Sequence, residues 1–102
     1  MADHETVMGI ALEEACLTLE QLAAACRVNP AHVTQWVSEG LFPAAGGEAR
    51  EWRFTTVQLR RARRMSQLER DFDAVPELAA LVADLLEEMD QLRSQMRRRE
   101  PR

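Results

Sequence analysis

The sequence predicts a mostly α fold: a helix-turn-helix with a small wing, closed by a long amphipathic C-terminal helix of coiled-coil type. Three observations carry this reading. Two helix starts, Thr18-Leu19-Glu20-Gln21 and Asn29-Pro30, follow one another closely, and Gly40 stops the second. Extended-looking pieces then flank Gly46-Gly47. Finally, Leu78, Val82, Leu85, Met89, Leu92 and Met96 recur in alternating steps of four and three, an a/d heptad seam. A chain of 102 residues has room for one small domain and an extension, not for two cores. The expected division is a loose lead-in over 1–10, a winged helix-turn-helix domain over 11–72, the amphipathic helix over 73–99 and a tail over 100–102.

A short strand is expected around Ala11–Leu17. Thr18, with Gln21 three residues on, makes a capping box, and Leu19, Leu22, Ala23 and Cys26 fall on one face of the helix behind it. Arg27-Val28-Asn29 is the turn. Asn29 caps the second helix, and Pro30 takes its first position, where a missing N–H costs nothing. Val33, Trp36 and Val37 line the inner side, and Gly40 supplies the left-handed stop. After Leu41-Phe42-Pro43, the stretch Ala44 to Ala49 is too small and polar to pack. Glu51-Trp52-Arg53-Phe54 alternates outward and inward like a strand, so the wing is expected as two extended pieces around the Gly-Gly turn. Thr55 or Thr56 caps a third helix that runs to about Arg70, with Val57, Leu59, Ala62, Met65, Leu68 and Phe72 as its apolar positions. Asp71 to Val75 breaks the pattern, and Pro76 opens the last helix, roughly 35 Å long if it reaches Arg98. Leu81 and Leu86 widen its stripe. The small domain cannot cover so long a stripe, so part of it must meet another helix, either the third helix or one from a second subunit.

Composition narrows the function classes. The 46% apolar and 29% charged fractions are those of a globular protein rather than a disordered chain. No apolar run approaches the roughly 20 residues that cross a bilayer. The acidic start, Asp3-His4-Glu5, has no signal-peptide n-region, so a cytoplasmic location is expected. Cys16 and Cys26 form no CxxC pair and have no His at metal-ligand spacing; both are expected reduced, and neither metal nor cofactor is expected. An enzyme is not expected either. There is no Gly-rich phosphate loop after a strand, and Glu87-Glu88 sits on a solvated helix where nothing would raise a carboxyl pKa for acid–base work.

Charge is segregated, and all thirteen basic residues are Arg. Residues 1–49 hold seven acids against Arg27 alone. Residues 50–70 hold seven Arg against Glu51 and Glu69, residues 71–92 seven acids and no base, and the tail from Arg93 five Arg against Glu100. Such blocks imply either internal pairing or binding faces of opposite sign. The helix placed to read DNA, Pro30 to Glu39, carries neither Lys nor Arg. A groove-reading helix draws much of its affinity from cations that release phosphate counterions. Were DNA the ligand, His32, Thr34, Gln35 and Ser38 would supply weak base readout, Arg50 and Arg53 would act from the wing, and Arg60, Arg61, Arg63 and Arg64 would hold phosphates. Trp36 and Trp52 read as core anchors, and His4 and His32 as solvent-facing side chains. On the last helix Glu77, Asp84, Glu87, Glu88 and Asp90 lie beside the apolar seam, with Asp84, Glu87 and Glu88 sharing a face. These carboxylates either neutralise the neighbouring Arg-rich helix or meet a basic partner. Glu13, Glu14 and Glu20 offer a second acidic surface.

The succession Leu17 to Leu22, Asn29-Pro30, Glu39-Gly40-Leu41-Phe42-Pro43, Trp52-Arg53-Phe54 and a heptad helix resembles the winged helix-turn-helix of MerR-type regulators over about residues 17–92. A narrower likeness lies in Leu59-Arg60-Arg61-Ala62-Arg63-Arg64, Arg70-Asp71, Asp84-Leu85-Leu86-Glu87-Glu88-Met89 and Leu92-Arg93, which is similar to the CbpM family of chaperone modulators. The resemblance implies a MerR-like winged helix-turn-helix that binds the J-domain of a DnaJ-like co-chaperone, CbpA, and inhibits its action with Hsp70 (DnaK). It also implies a strongly basic J-domain helix as the target, to which Asp84, Glu87, Glu88, Glu77 and Asp90 would present carboxylates, and a homodimer through the last helix. The alternative is a MerR-type DNA-binding transcriptional regulator. The chain departs from that pattern where the regulators carry Arg and Tyr and this chain has Ala31, Thr34 and Gln35. No Cys or His follows His32 to build a metal-sensing site.

Overall fold

The structure, a computed structural model, describes residues 17–99. Four α-helices follow in order: α1 Leu19–Cys26, α2 Pro30–Ser38, α3 Thr56–Phe72 and α4 Pro76–Arg99, with a 3-10 turn at Ala49–Glu51. The caps are where the residue types place them. Thr18 Oγ1 accepts from Gln21 N at 3.1 Å while Gln21 Oε1 accepts from Thr18 N at 2.9 Å. Asn29 Oδ1 accepts from Ala31 N at 2.8 Å. Thr55, not Thr56, caps α3, exchanging the same reciprocal pair with Gln58 at 2.9 and 2.8 Å. Each cap of this kind stabilises its helix by about 1 kcal/mol. Arg27 and Asp73 end α1 and α3 with φ of 61° and 54°, and Gly40 follows α2 at φ 75°.

The core lies where α1, α2 and α3 meet. Leu22, Val33, Trp36, Phe54, Ala62 and Met65 are sealed from solvent, with Leu19, Ala23 and Cys26 close behind. Burying a Leu, Val, Phe or Met side chain contributes about 1.5–3 kcal/mol. Aromatic rings run through the core as a chain: Trp36–Phe42 centroids are 5.9 Å apart, Phe42–Phe54 5.7 Å and Trp52–Phe54 6.2 Å. Both Trp are therefore core anchors. Ser66, the one buried polar side chain among the described residues, donates to Arg63 O at 3.1 Å, so its hydroxyl is not stranded.

Three expectations are corrected here. No two-stranded wing forms among the described residues. Glu48 and Glu51 instead cap the 3-10 turn, and Phe54 pairs with Leu17 through Leu17 N to Phe54 O at 3.1 Å and Phe54 N to Leu17 O at 2.7 Å. Of the Ala44–Gly47 stretch only Ala44 rests on the core, too small a side chain to hold a hairpin there. The rest of the expected strand at Ala11–Leu17 lies outside the described residues. Second, Val57 and Phe72 are exposed rather than inward, because α3 turns Leu59, Ala62, Met65 and Leu68 to its neighbours. Third, α4 packs on α3 through Ala79, Ala80 and Ala83, not through the heptad seam. Small side chains let the two helices approach closely, and Leu78, Leu85, Met89, Leu92 and Met96 of the seam are left exposed, with Val82 half-buried.

Candidate functional site

The outer faces of α2 and α4 carry the residues singled out above, and the structure treats the two helices differently. On α2, Thr34 Oγ1 donates to Pro30 O at 2.7 Å and Ser38 Oγ to Gln35 O at 2.9 Å, so both hydroxyls serve their own helix. Gln35 Nε2 donates to Glu39 Oε2 at 3.0 Å. His32 keeps 36% of its side chain exposed, as expected of a residue facing solvent, but it has a partner that the sequence did not suggest. Its Nε2 lies 2.7 Å from Glu69 Oε1 on α3, and its ring meets Trp36 edge-on with centroids 5.1 Å apart. Glu69, only 14% exposed, also accepts from Trp36 Nε1 at 3.1 Å through its other oxygen. One carboxylate thus ties the reading helix to α3 by two bonds.

Glu69 was invisible as a site residue, since its partners lie 37 and 33 positions away. One signal pointed to it: its spacing from Ala62 and Ser66 places it on the inner face of an Arg-rich helix.

The Arg-rich helix divides its cations between two uses. Arg61 is drawn inward, with its side chain 13% exposed. Its Nη1 donates to Asp84 Oδ1 at 2.6 Å and Glu87 Oε2 at 3.2 Å, and its Nη2 to Leu41 O at 3.0 Å. It is therefore not a free phosphate-binding side chain. Arg64 Nη2 donates to Asp90 Oδ2 at 2.7 Å. That bond holds the Asp90 carboxyl below the usual carboxylate range, with the fields of Arg64, Arg93 and Arg60 adding to it. Arg70 Nη1 donates to Cys26 O at 3.0 Å, closing the C-terminal end of α1. Burial pushes the Cys26 thiol up, against the fields of Arg63 and Arg70 and a hydrogen bond with Ser66. Arg60 and Arg63 stand exposed and make no ion pair among the described residues. In the connection between α2 and α3, Arg50 Nε lies 3.5 Å from Glu48 Oε1, and Arg53 Nη1 donates to Trp52 O at 2.7 Å and Arg50 O at 3.3 Å.

The five acids of the last helix therefore split. Asp84, Glu87 and Asp90 pair with α3 of their own chain, which is the internal neutralisation that block charges allow. Glu77 and Glu88 are exposed and make no ion pair among the described residues. At 100° per residue, Glu77, Asp84 and Glu88 share one flank of α4, beside the seam. Asp84 keeps 60% of its side chain exposed despite Arg61. A cleft of about 590 Å³ opens between this helix and the turn after α2, lined by Gly40, Leu41, Phe42, Pro43, Arg61, Asp84 and Glu87. Glu20 is exposed on α1, while Glu13 and Glu14 lie outside the described residues. No helix among the described residues is long and apolar enough to cross a membrane.

In comparison with known proteins, the sequence profile of the MerR HTH family regulatory proteins fits residues 17–100. Neither the curated proteins nor the solved structures give a significant match.

Proposed function

The chain belongs to the MerR HTH family, and from that premise we propose that it is a non-catalytic modulator that binds the J-domain of a DnaJ-like co-chaperone of the CbpA type and inhibits its action with Hsp70 by competition. One observation carries the reading. The helix that reads DNA in a helix-turn-helix here presents no cation: it has no Lys or Arg, and its histidine is bound to Glu69. A protein partner with a basic helix fits the molecule better, because the flank Glu77–Asp84–Glu88 offers carboxylates in a row along exposed leucines. Charge matching of this kind speeds encounter and sets specificity. Covering the J-domain's basic helix blocks its Hsp70 contact without any chemistry. The DNA-regulator alternative draws its support from Arg60 and Arg63, which are exposed on α3 and make no ion pair among the described residues.

Calorimetric titration of an isolated J-domain tests this. Binding is expected to be salt-sensitive. Glu77→Lys with Glu88→Lys should weaken it about tenfold or more, equivalent to roughly 1.4 kcal/mol, while leaving the thermal melt unchanged. These two acids are the right choice because reversing Asp84 or Glu87 would also strand Arg61. A charge-reversed protein that binds as tightly as its parent overturns the assignment.

A further inference from the structure

Among the described residues one buried side-chain nitrogen has no hydrogen-bond acceptor, Arg64 Nη1. The other arm of the same guanidinium, Nη2, donates to Asp90 Oδ2 on α4 at 2.7 Å. Buried donors are nearly always paired, so the exception calls for a physical account.

The surroundings of Arg64 are cationic. Arg60 precedes it by four positions on α3, and Arg93 follows Asp90 by three on α4, spacings that set each pair on one face of its helix. The Asp90 carboxyl lies within the fields of Arg64, Arg93 and Arg60 together, so three guanidinium groups from two helices gather round one carboxylate. None of the three can accept a hydrogen bond. Arg60 and Arg93 are exposed and make no ion pair among the described residues. Other acids on these helices are engaged or distant. Asp84 and Glu87 serve Arg61, and Glu69 is taken up by His32 and Trp36. Asp71 lies seven positions beyond Arg64, about 10 Å along α3. Open space adjoins the group, since Arg64 lines a surface cavity of about 140 Å³ with Leu68, Leu86 and Asp71. Three cations against one carboxylate leave a local excess of positive charge and an unused donor. That arrangement complements a dianion rich in oxygen acceptors, and guanidinium meets a phosphoryl group through two parallel bonds.

We propose that Arg60, Arg64 and Arg93 bind the phosphoryl group of a small phosphorylated ligand between α3 and α4. The cations converge on one point, whereas a duplex backbone needs a row of them, so a small ligand fits the arrangement. Bound there, the anion ties the outer half of α4 to α3 through Arg93. Arg93 lies five positions from Glu88 and so about 140° round α4 from it, clear of the acidic flank. The site therefore stands whether or not the co-chaperone reading does.

Calorimetric titration of the full chain with pyrophosphate and with glycerol phosphate, at an ionic strength held constant with chloride, tests the site. Saturable binding of at least one is expected, and the tighter of the two tells an inorganic ion from a phosphomonoester as the ligand. Arg60→Gln with Arg93→Gln should weaken that binding about tenfold or more. Arg63→Gln with Arg99→Gln removes the same charge from exposed positions outside the site and should leave the affinity within about twofold. Both variants should keep the parent's helix content by circular dichroism. Equal weakening in the two variants means attraction by net charge alone and overturns the site. A parent that binds neither probe saturably overturns it as well. A duplex oligonucleotide that binds through Arg60 and Arg93 where both small anions fail overturns the small-ligand assignment in favour of nucleic acid.

Discussion

Asp90 takes its pH response chiefly from Arg64. Arg64 holds its carboxyl below the usual carboxylate range, and a group depressed on folding stabilises the fold above its unfolded pKa and loses that contribution as pH falls through the folded one. Asp90→Asn is therefore expected to lower Tm at neutral pH and to make no difference in strong acid. Melts of both proteins from about pH 7 down to pH 2 check this; a gap of constant size would refute it. His32 shows how far a residue's environment can depart from its sequence context. Nothing near it in the chain suggests a partner, yet Glu69 on another helix lies 2.7 Å from its ring nitrogen. Arg61 makes the same point with charge. In the sequence it is one of four arginines suited to phosphate, and in the fold it is an interior clasp.

At the scale of helices, the closeness of α3 and α4 depends on Ala79, Ala80 and Ala83. Ala83→Leu is expected to destabilise by about 1–3 kcal/mol, since added methylenes must push the helices apart. Urea denaturation measures it; an unchanged midpoint would mean the interface has room the packing does not show. The helices themselves were legible in the sequence because their signals are local. Thr18 with Gln21, Asn29 with Pro30, and Pro76 each mark a start by chemistry within a few residues. What α4 packs against was not legible, because a heptad period marks a face without naming its occupant. The sequence drew attention to the large side chains, while the short ones made the contact. The wing failed for a related reason. Alternation in Glu51–Phe54 indicated extended backbone, but the choice of partner fell to Leu17, far off in the chain. Of the candidate site, the uncharged reading helix was legible from composition alone, and the division of the acids into paired and free needed the tertiary arrangement.

Across the whole molecule, alternating charge blocks become a layered arrangement. Part of the acidic helix neutralises the basic one, leaving Arg60 and Arg63 outward on α3 and Glu77 and Glu88 outward on α4. Exposed arginines on α3 and in the turn before it, with no Lys or Arg on the reading helix, make a poor grip on a duplex. Gel-shift assays on genomic fragments are expected to show no discrete complex at near-physiological salt, and any weak binding at about 50 mM should fade by about 200 mM. A sequence-specific complex that survives that salt would return the protein to the DNA-reading regulators. The Arg61 guanidinium, serving Leu41 O and two carboxylates at once, carries a further consequence. Lysine at that position would keep the charge but lose the planar fork that addresses acceptors on separate sides. The mildest exchange on paper would release either the turn behind the reading helix or the long helix beside it. Here the shape of the cation, not its sign, is what evolution or an engineer would have to preserve.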